Sequence, residues 1–249
     1  MNTLLAEVQS SSVAHADETG WREDGQNGYV WAFLSETPRP VCYFVYQQTR
    51  SNRIPQGVLG LHFAGHLVSD FYSAYNVIRG PHQRCWVHLL RDLHALKEEY
   101  AETAAVLAWV KGVRKLYDEA KTWLAVHRTP TEAQRVTKYE DLLGRVCTLG
   151  EQYALVADHP CRVLAKRLLR HQDELFQFVR TPGVPADNNL AERALRPLVI
   201  MRKISGGSRS PEGSKTRLTL FSLVSTWVAR GLNPFFHCVD LLQSASAPP

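Results

Sequence analysis

Apolar residues cluster in short β-branched and aromatic runs over the first third of the chain, and recur at three- to four-residue spacing over the middle. The runs at 28–34 (Gly-Tyr-Val-Trp-Ala-Phe-Leu) and 41–46 (Val-Cys-Tyr-Phe-Val-Tyr) flank the turn-rich Glu36-Thr-Pro-Arg-Pro40, which predicts an antiparallel hairpin. A short β-prone start ends on His15-Ala-Asp17. After the hairpin a helix is expected around 54–63, and then His66-Leu-Val-Ser-Asp70 reads as a short buried strand ending on a carboxylate. A short helix over 72–78 leads to a strand near 83–86. Strands and helices in that order suit a mixed, half-parallel sheet.

From residue 87 the period changes. Leu89, Leu93 and Leu96, then Leu107, Val110, Val113 and Leu116, then Leu142, Leu143, Val146 and Leu149 follow helical spacing, as do Leu164, Leu168 and Leu175. Thr129-Pro130 and His159-Pro160 punctuate them. The chain is therefore expected to consist of an α/β part over 13–86, a helical insertion over 87–180, and a return to the α/β part over 181–242. Residues 1–12 and 243–249 are expected to be flexible. In the last part Asp187-Asn188-Asn189 can cap a helix carrying Glu192, residues 205–214 form a Gly/Ser-rich basic loop, and an amphipathic helix is expected over 217–230.

Composition adds limits. In 249 residues, 45% hydrophobic and 21% charged, no apolar run is long enough to span a bilayer. Five scattered cysteines without a Cys-x-x-Cys pair argue against a disulfide frame, and with no secretory leader they predict a soluble cytoplasmic protein. The net charge of +5 fits a polyanionic partner. Between Asp187 and Arg230 stand eight Lys or Arg against three acids, which is either a solvated basic face or a phosphate-contacting one.

Three carboxylates stand out by context: Asp17 and Asp70 at expected strand ends, and Glu192 one turn into a helix. Two hard divalent cations take oxygen ligands, and phosphoryl transfer uses them to activate the attacking oxygen and stabilise the leaving one. The chain has 24 acidic residues, so spacing alone does not select these three. Motifs do. His15-Ala-Asp17-Glu-Thr-Gly-Trp21, Ser69-Asp70-Phe-Tyr-Ser-Ala-Tyr75, Cys85-Trp-Val-His88-Leu-Leu-Arg91 and Asp187-Asn-Asn-Leu-Ala-Glu192-Arg-Ala-Leu-Arg196, followed by Arg202-Lys203, occur in the order found in insertion-sequence family 66 (IS66) transposases, and the chain resembles that family over roughly 14–242. The resemblance implies a ribonuclease-H-like domain with a helical insertion before its glutamate, and Asp17, Asp70 and Glu192 as a DDE triad holding two Mg²⁺, with Mn²⁺ able to substitute. It implies cleavage at transposon ends and strand transfer into target DNA, in a homo-oligomer formed on DNA, with accessory proteins of the same element as further partners, no membrane, and a place at the bacterial nucleoid. Two rival readings stay open: a binding module without catalysis, and a ribonuclease-H-like nuclease that does not join ends. This sequence departs from the family pattern at Phe71, where a Gly is usual, and after Arg202-Lys203, where Ile-Ser-Gly-Gly-Ser follows. Members of the family are longer, with upstream helix-turn-helix and cysteine-rich segments, and this sequence begins almost at the catalytic part.

Secondary candidates have plain alternatives. Cys85 and His88 have the spacing of half a zinc site, but packing is the commoner role for such a pair, and an accessory position at the active site is the sharper one. Arg196 shares a helical face with Glu192, so a salt bridge competes with phosphate binding. With Arg193, Arg202, Lys203, Arg209 and Lys215 it forms the expected DNA-contacting set, extended by Arg217. Trp21 and Trp86 read as core, and Glu18 and Thr19 have no assignable chemistry.

Overall fold

A computed structural model describes residues 1–36 and 39–246, with side chains to residue 243. In chain order the elements are α1 (Asn2–Gln9), β1 (Val13–Glu23), β2 (Gln26–Ser35), β3 (Val41–Gln47), α2 (Arg53–Leu59), β4 (His66–Ser69), β5 (His82–Arg84), α3 (Trp86–Glu99), α4 (Ala104–Val126), α5 (Glu132–Ala154), α6 (Arg162–Arg170), α7 (Gln177–Arg180), α8 (Asn189–Ser205), α9 (Pro211–Ala229) and α10 (Pro234–Ser246). Short 3-10 turns lie at Ser73–Val77 and Gln172–Glu174. The strands form a five-stranded sheet in the order β3-β2-β1-β4-β5, so the protein is mixed α/β. Two compact units are distinguished. The first comprises Met1–Leu67, Tyr72–Gly80 and Asn189–Pro249, and the second Val68–Phe71 and Pro81–Asn188.

In the first unit β1 pairs antiparallel with β2 from His15↔Leu34 to Glu23↔Gln26, and β2 pairs antiparallel with β3 from Tyr29↔Gln47 to Ser35↔Val41. The expected hairpin forms, although Thr37 and Pro38 of its turn lie outside the described residues. A second hairpin precedes it. Asp24 and Gly25 both take positive φ (49° and 75°), the two-residue turn whose twist suits antiparallel strands. That turn makes β1 eleven residues long, so Asp17 sits within a strand rather than at its end.

Strand alternation gives the sheet two apolar faces. Ala14, Ala16, Trp31 and Phe33 cluster with Leu4 and Val8 of α1 and Val58 and Leu59 of α2. Trp21, Val30, Ala32, Leu34 and Phe44 cluster with Ala191, Leu195 and Leu198 of α8 and Leu218 of α9. Full burial stabilises by about 1.5–3 kcal/mol per large side chain, and this is what fixes α8 and α1 to opposite faces. Residues 1–12, expected to be flexible, are thus held by Leu4 and Val8. At the other end α10 runs to Ser246, beyond the expected start of a flexible tail at 243, and residues 247–249 lie outside the described part.

The edge strand β3 is closed by a helix. The Cys42 N–H donates to Thr226 Oγ1 (3.0 Å) and the Phe44 N–H to Ser222 Oγ (2.9 Å). One helical turn of about 6 Å nearly matches two strand residues at about 6.8 Å, so hydroxyls four apart on α9 meet alternate N–H groups of β3. They stand in for a sixth strand and protect the edge. α9 begins at Pro211, six residues before its expected start, because the Ser210 hydroxyl accepts from the Gly213 N–H (3.0 Å) with Pro211 at the first helical position.

The second unit is mainly helical. Trp86 is its buried centre: the indole N–H donates to the Leu175 carbonyl (2.5 Å), and the ring packs on Tyr117 and Phe176. The expected strand near 83–86 is β5, and Trp86 already opens α3. Thr131 and Gln134 form a reciprocal cap on α5, at the predicted break. Among the described residues no helix is long and apolar enough to cross a membrane.

Candidate active site

In the first unit Asp17 pairs across the strands with Ala32, which places it on the face that carries Trp21 and Leu34 and is covered by α8. Its side chain is half-buried, and Oδ1 accepts from the Glu18 N–H (2.9 Å). α8 packs on β1. It turns Ala191, Leu195 and Leu198 to the sheet, which leaves the half-buried Glu192 beside Ala191 and one turn before Leu195. Two candidate carboxylates are therefore carried by a strand and a helix that share one apolar contact. Glu192 also lies in the first turn of α8, where a negative charge complements the helix dipole.

Glu18, without a role in the sequence, points to the opposite face. Its side chain is 1% exposed, ion-paired with Arg50, and accepts a hydrogen bond from the Tyr75 hydroxyl. The Arg50 guanidinium lies 3.8 Å from the centre of the Tyr72 ring, and the Tyr72 hydroxyl donates to the Arg50 carbonyl (2.5 Å). Two of the motifs, one around Asp17 and one around Asp70, thus meet through Glu18, Tyr72 and Tyr75. Its signal in the sequence was an acid within an otherwise apolar-facing strand.

Asp70 belongs to the second unit, directly after β4 as expected. A buried polar network supports it. Arg84 NH1 donates to the Asp70 carbonyl (2.9 Å) and to Ser69 Oγ (3.3 Å), and its Nε donates to Glu174 Oε2 (2.5 Å). His171 Nδ1 lies 2.8 Å from the same Glu174 oxygen, and His82 Nε2 lies 2.8 Å from Ser69 Oγ. Burial alone would raise the Glu174 pKa, but the hydrogen bond from His171 and the Arg84 guanidinium hold it down at about 2. Burial, and then the Arg84 charge, push His82 well below the usual imidazole range, so it is neutral. Phe71, where the family usually has glycine, packs edge-on against His171 (5.5 Å between ring centres) and under the Arg167 guanidinium (5.0 Å).

Cys85 and His88 lie in the same unit. The Cys85 N–H donates to the Ser69 carbonyl (2.8 Å), tying the start of α3 to the end of β4. Cys85 is fully buried, and its sulfur accepts from the Asn188 N–H (3.2 Å). That engagement fits the packing role for Cys85. Its sulfur and a His88 ring nitrogen are within 4.8 Å of each other. Trp21 and Trp86 are 2% and 0% exposed, core residues as read from the sequence.

The basic residues divide into two groups. Arg193, Arg196, Lys203, Arg209 and Lys215 are exposed. Arg202 and Arg217 instead hold the loop between α8 and α9. Arg202 donates to the Gly20 carbonyl, and Arg217 donates to the Gly207 carbonyl (3.1 Å) and lies 5.5 Å from the Trp21 ring centre. The loop itself is pinned to the end of β1: the Ser208 N–H donates to the Arg22 carbonyl and the Asp24 N–H to the Ser208 carbonyl. Gly207, at φ 115°, is required there, since a Cβ would come within 2.1 Å of the Arg22 carbonyl oxygen.

Residues 1–216 match the family described as Transposase IS66 family. Two relatives come from Sinorhizobium fredii (strain NBRC 101917 / NGR234). The uncharacterized protein y4jO is 31% identical over 172 residues, covering 69% of this chain and 50% of its own length. The uncharacterized protein y4qI is 26% identical over 235 residues, covering 83% of this chain and 41% of its own. The chain spans about half the length of the curated relatives it matches. A chain from a simian T-cell lymphotropic virus intasome in complex with PP2A regulatory subunit B56 gamma aligns over 70% of this chain and 56% of its own, at 10% identity and a TM-score of 0.26, a likeness too low to define a shared fold.

Proposed function

Because the chain belongs to the transposase IS66 family, we propose that it is the catalytic part of a DDE transposase with a ribonuclease-H-like core, cutting DNA at transposon ends and joining them to target DNA. The observation that carries the reading is that the family match, residues 1–216, takes in Asp17, Asp70 and Glu192 together with all the motifs around them. The half-buried Asp17 and Glu192, on a strand and helix packed face to face, support it. The three carboxylates offer hard oxygen donors, the set that suits Mg²⁺ and admits Mn²⁺. Bound to them, two divalent ions supply the charge that favours in-line attack at phosphorus.

The roles of the residues follow. Asp17, Asp70 and Glu192 hold the ions. The Arg84–Glu174 network fixes the backbone of Asp70, and Glu18 fixes the strand bearing Asp17. Arg193, Arg196, Lys203, Arg209 and Lys215 bind phosphates without reading sequence, and Arg202 holds the loop that presents them. Water attacks the phosphodiester at an element end and releases a 3′-hydroxyl. That hydroxyl then attacks a target phosphate and displaces a second 3′-oxygen, with no covalent link to the enzyme. DNA and a second copy of the chain are the expected partners.

The test is strand transfer from a pre-cleaved element end with Mg²⁺. Asp70→Asn is expected to lower the rate by about 10³-fold, equivalent to about 4 kcal/mol of transition-state stabilisation, with an unchanged unfolding midpoint. Strand transfer at the wild-type rate by Asp70→Asn would overturn the assignment.

A further inference from the structure

The row of α9 hydroxyls that serves β3 ends at a cavity within the first unit. Thr226 and Ser222 bind the Cys42 and Phe44 N–H groups. One turn earlier stands Leu218, and two turns earlier Ser214. The Ser214 hydroxyl, the Tyr46 hydroxyl and Glu23 Oε2 are buried atoms with no hydrogen-bond partner among the described residues, and all three side chains line one cavity of ≈ 400 Å³. Glu23 is 7% exposed and Ser214 2%. The Tyr46 ring lies over Gly28, where a Cβ would come within 2.3 Å of its hydroxyl, so the strand beneath is cut away to admit it. Proximity to the Glu23 carboxylate adds to burial in raising the Tyr46 pKa, which places a negative charge beside the phenol.

An unmet buried polar atom costs about 1–3 kcal/mol, and more when it carries charge. Three around one space mark a site shaped for a complementary ligand. An ordered water occupies about 30 Å³, so a single one would leave most of this cavity unfilled. The lining orders the chemistry. An acceptor-only carboxylate and two hydroxyls that can donate or accept lie inside, Phe44 and Leu218 supply apolar walls, and the exposed Lys215 adds a cation. The matching ligand presents adjacent N–H donors, a flat apolar body and an anion.

We propose that this cavity binds the base of a guanine nucleotide, with N1–H and N2–H donating to Glu23, O6 accepting from a hydroxyl, and the phosphate near Lys215. Guanine presents two neighbouring donors to the two carboxylate oxygens. Adenine and cytosine set a ring acceptor beside their amino donor, and uracil and thymine flank one N–H with carbonyls, so each turns a lone pair toward Glu23. The nucleotide is either free or an unpaired guanosine in a DNA strand, and the same edge is read in both.

The experiment is calorimetric titration of the full chain with GMP, AMP, CMP and UMP, and with a thymidine 12-mer carrying or lacking one central dG. Guanine is expected to bind at least tenfold more tightly than the other bases in at least one of the two formats. Glu23→Gln should abolish that preference, since its amide faces a donor with a donor. Tyr46→Phe should weaken guanine binding several-fold, and the unfolding midpoint of each variant verifies its fold. Preference for GMP alone identifies a free nucleotide, and preference for the dG strand alone identifies DNA. Equal affinity for all bases, no saturable binding in either format, or a Glu23→Gln variant that keeps the preference would overturn the proposal. The proposal does not rest on the catalytic reading: Asp70→Asn should bind guanine as the wild type does, so either can fail alone.

Discussion

Two of the candidate carboxylates and the third are held in physically different ways. Asp17 and Glu192 belong to the first unit, where β1 and α8 are fixed by a contact of Trp21, Ala32, Ala191 and Leu195. Asp70 belongs to the second, where Arg84 bonds its carbonyl and is itself held by Glu174, His171 and Ser69. Apolar packing is a sum of many small terms and tolerates a change of shape at constant volume. A buried charged network is not additive. Removing one member leaves the others desolvated and unpaired.

The largest expected effect comes from breaking that network. Arg84→Met leaves the Glu174 carboxylate without its main cation, and should cost about 3–5 kcal/mol of unfolding free energy in denaturant titration. Leu195→Met, a volume-conserving change in the apolar contact of the first unit, should cost less than about 1.5 kcal/mol. The double change Arg84→Met with Glu174→Gln should recover part of the loss, because the stranded charge is removed as well. Equal costs for Arg84→Met and Leu195→Met would erase the contrast between the two units.

Acid should act on the network next. The Glu174 pKa is held at about 2 against an ordinary 4.5, so the folded state binds its proton less readily than the unfolded chain. Its contribution, at most about 3 kcal/mol from a shift of this size, is fully present above about pH 4.5 and is lost as the pH falls toward 2. His82 adds in the same direction at higher pH, since it stays neutral when folded and gains a proton on unfolding below its ordinary pKa. The measurement is stability against pH for the wild type and Glu174→Gln: the gap between them should shrink steadily from pH 5 to pH 2. A constant gap would mean that Glu174 stabilises by shape and not by charge.

This difference between the units also governs what could be read from the sequence. The hairpin of β2 and β3, the short strand before Asp70 and the helices with Leu at 89, 93 and 96 follow from apolar spacing, because spacing is what burial selects. Asp24-Gly25 carried a turn signal that makes β1 run on to Glu23, and missing it put Asp17 at a strand end. α1 was missed because only Leu4 and Val8 mark it. The network under Asp70 joins residues 69, 82, 84, 171 and 174, and long-range polar pairing leaves no periodicity to follow. Of the candidate site, the motifs chose the carboxylates. Packing explains how Asp17 and Glu192 are held, and only the folded structure exposes Glu18 and Arg84 as their supports.

The smallest expected effect lies at the sheet edge and sharpens the comparison from the other side. The first unit also depends on polar contacts, since Thr226 and Ser222 satisfy the Cys42 and Phe44 N–H groups, but these are neutral. Thr226→Val keeps the shape of the side chain and removes the hydroxyl, leaving the buried Cys42 N–H unmet at a cost of about 1–3 kcal/mol. Thr226→Ser should lose much less, because the hydroxyl is retained. Hydrogen exchange at the Cys42 amide should quicken in the valine variant and stay near wild type in the serine variant. The cost of Thr226→Val should also be the same at pH 5 and pH 3, where that of Glu174→Gln is falling. A hydroxyl that caps a strand edge does not titrate, whereas the carboxylate behind Asp70 does, so a pH-dependent cost at Thr226 would show that the two units are not stabilised by separate means.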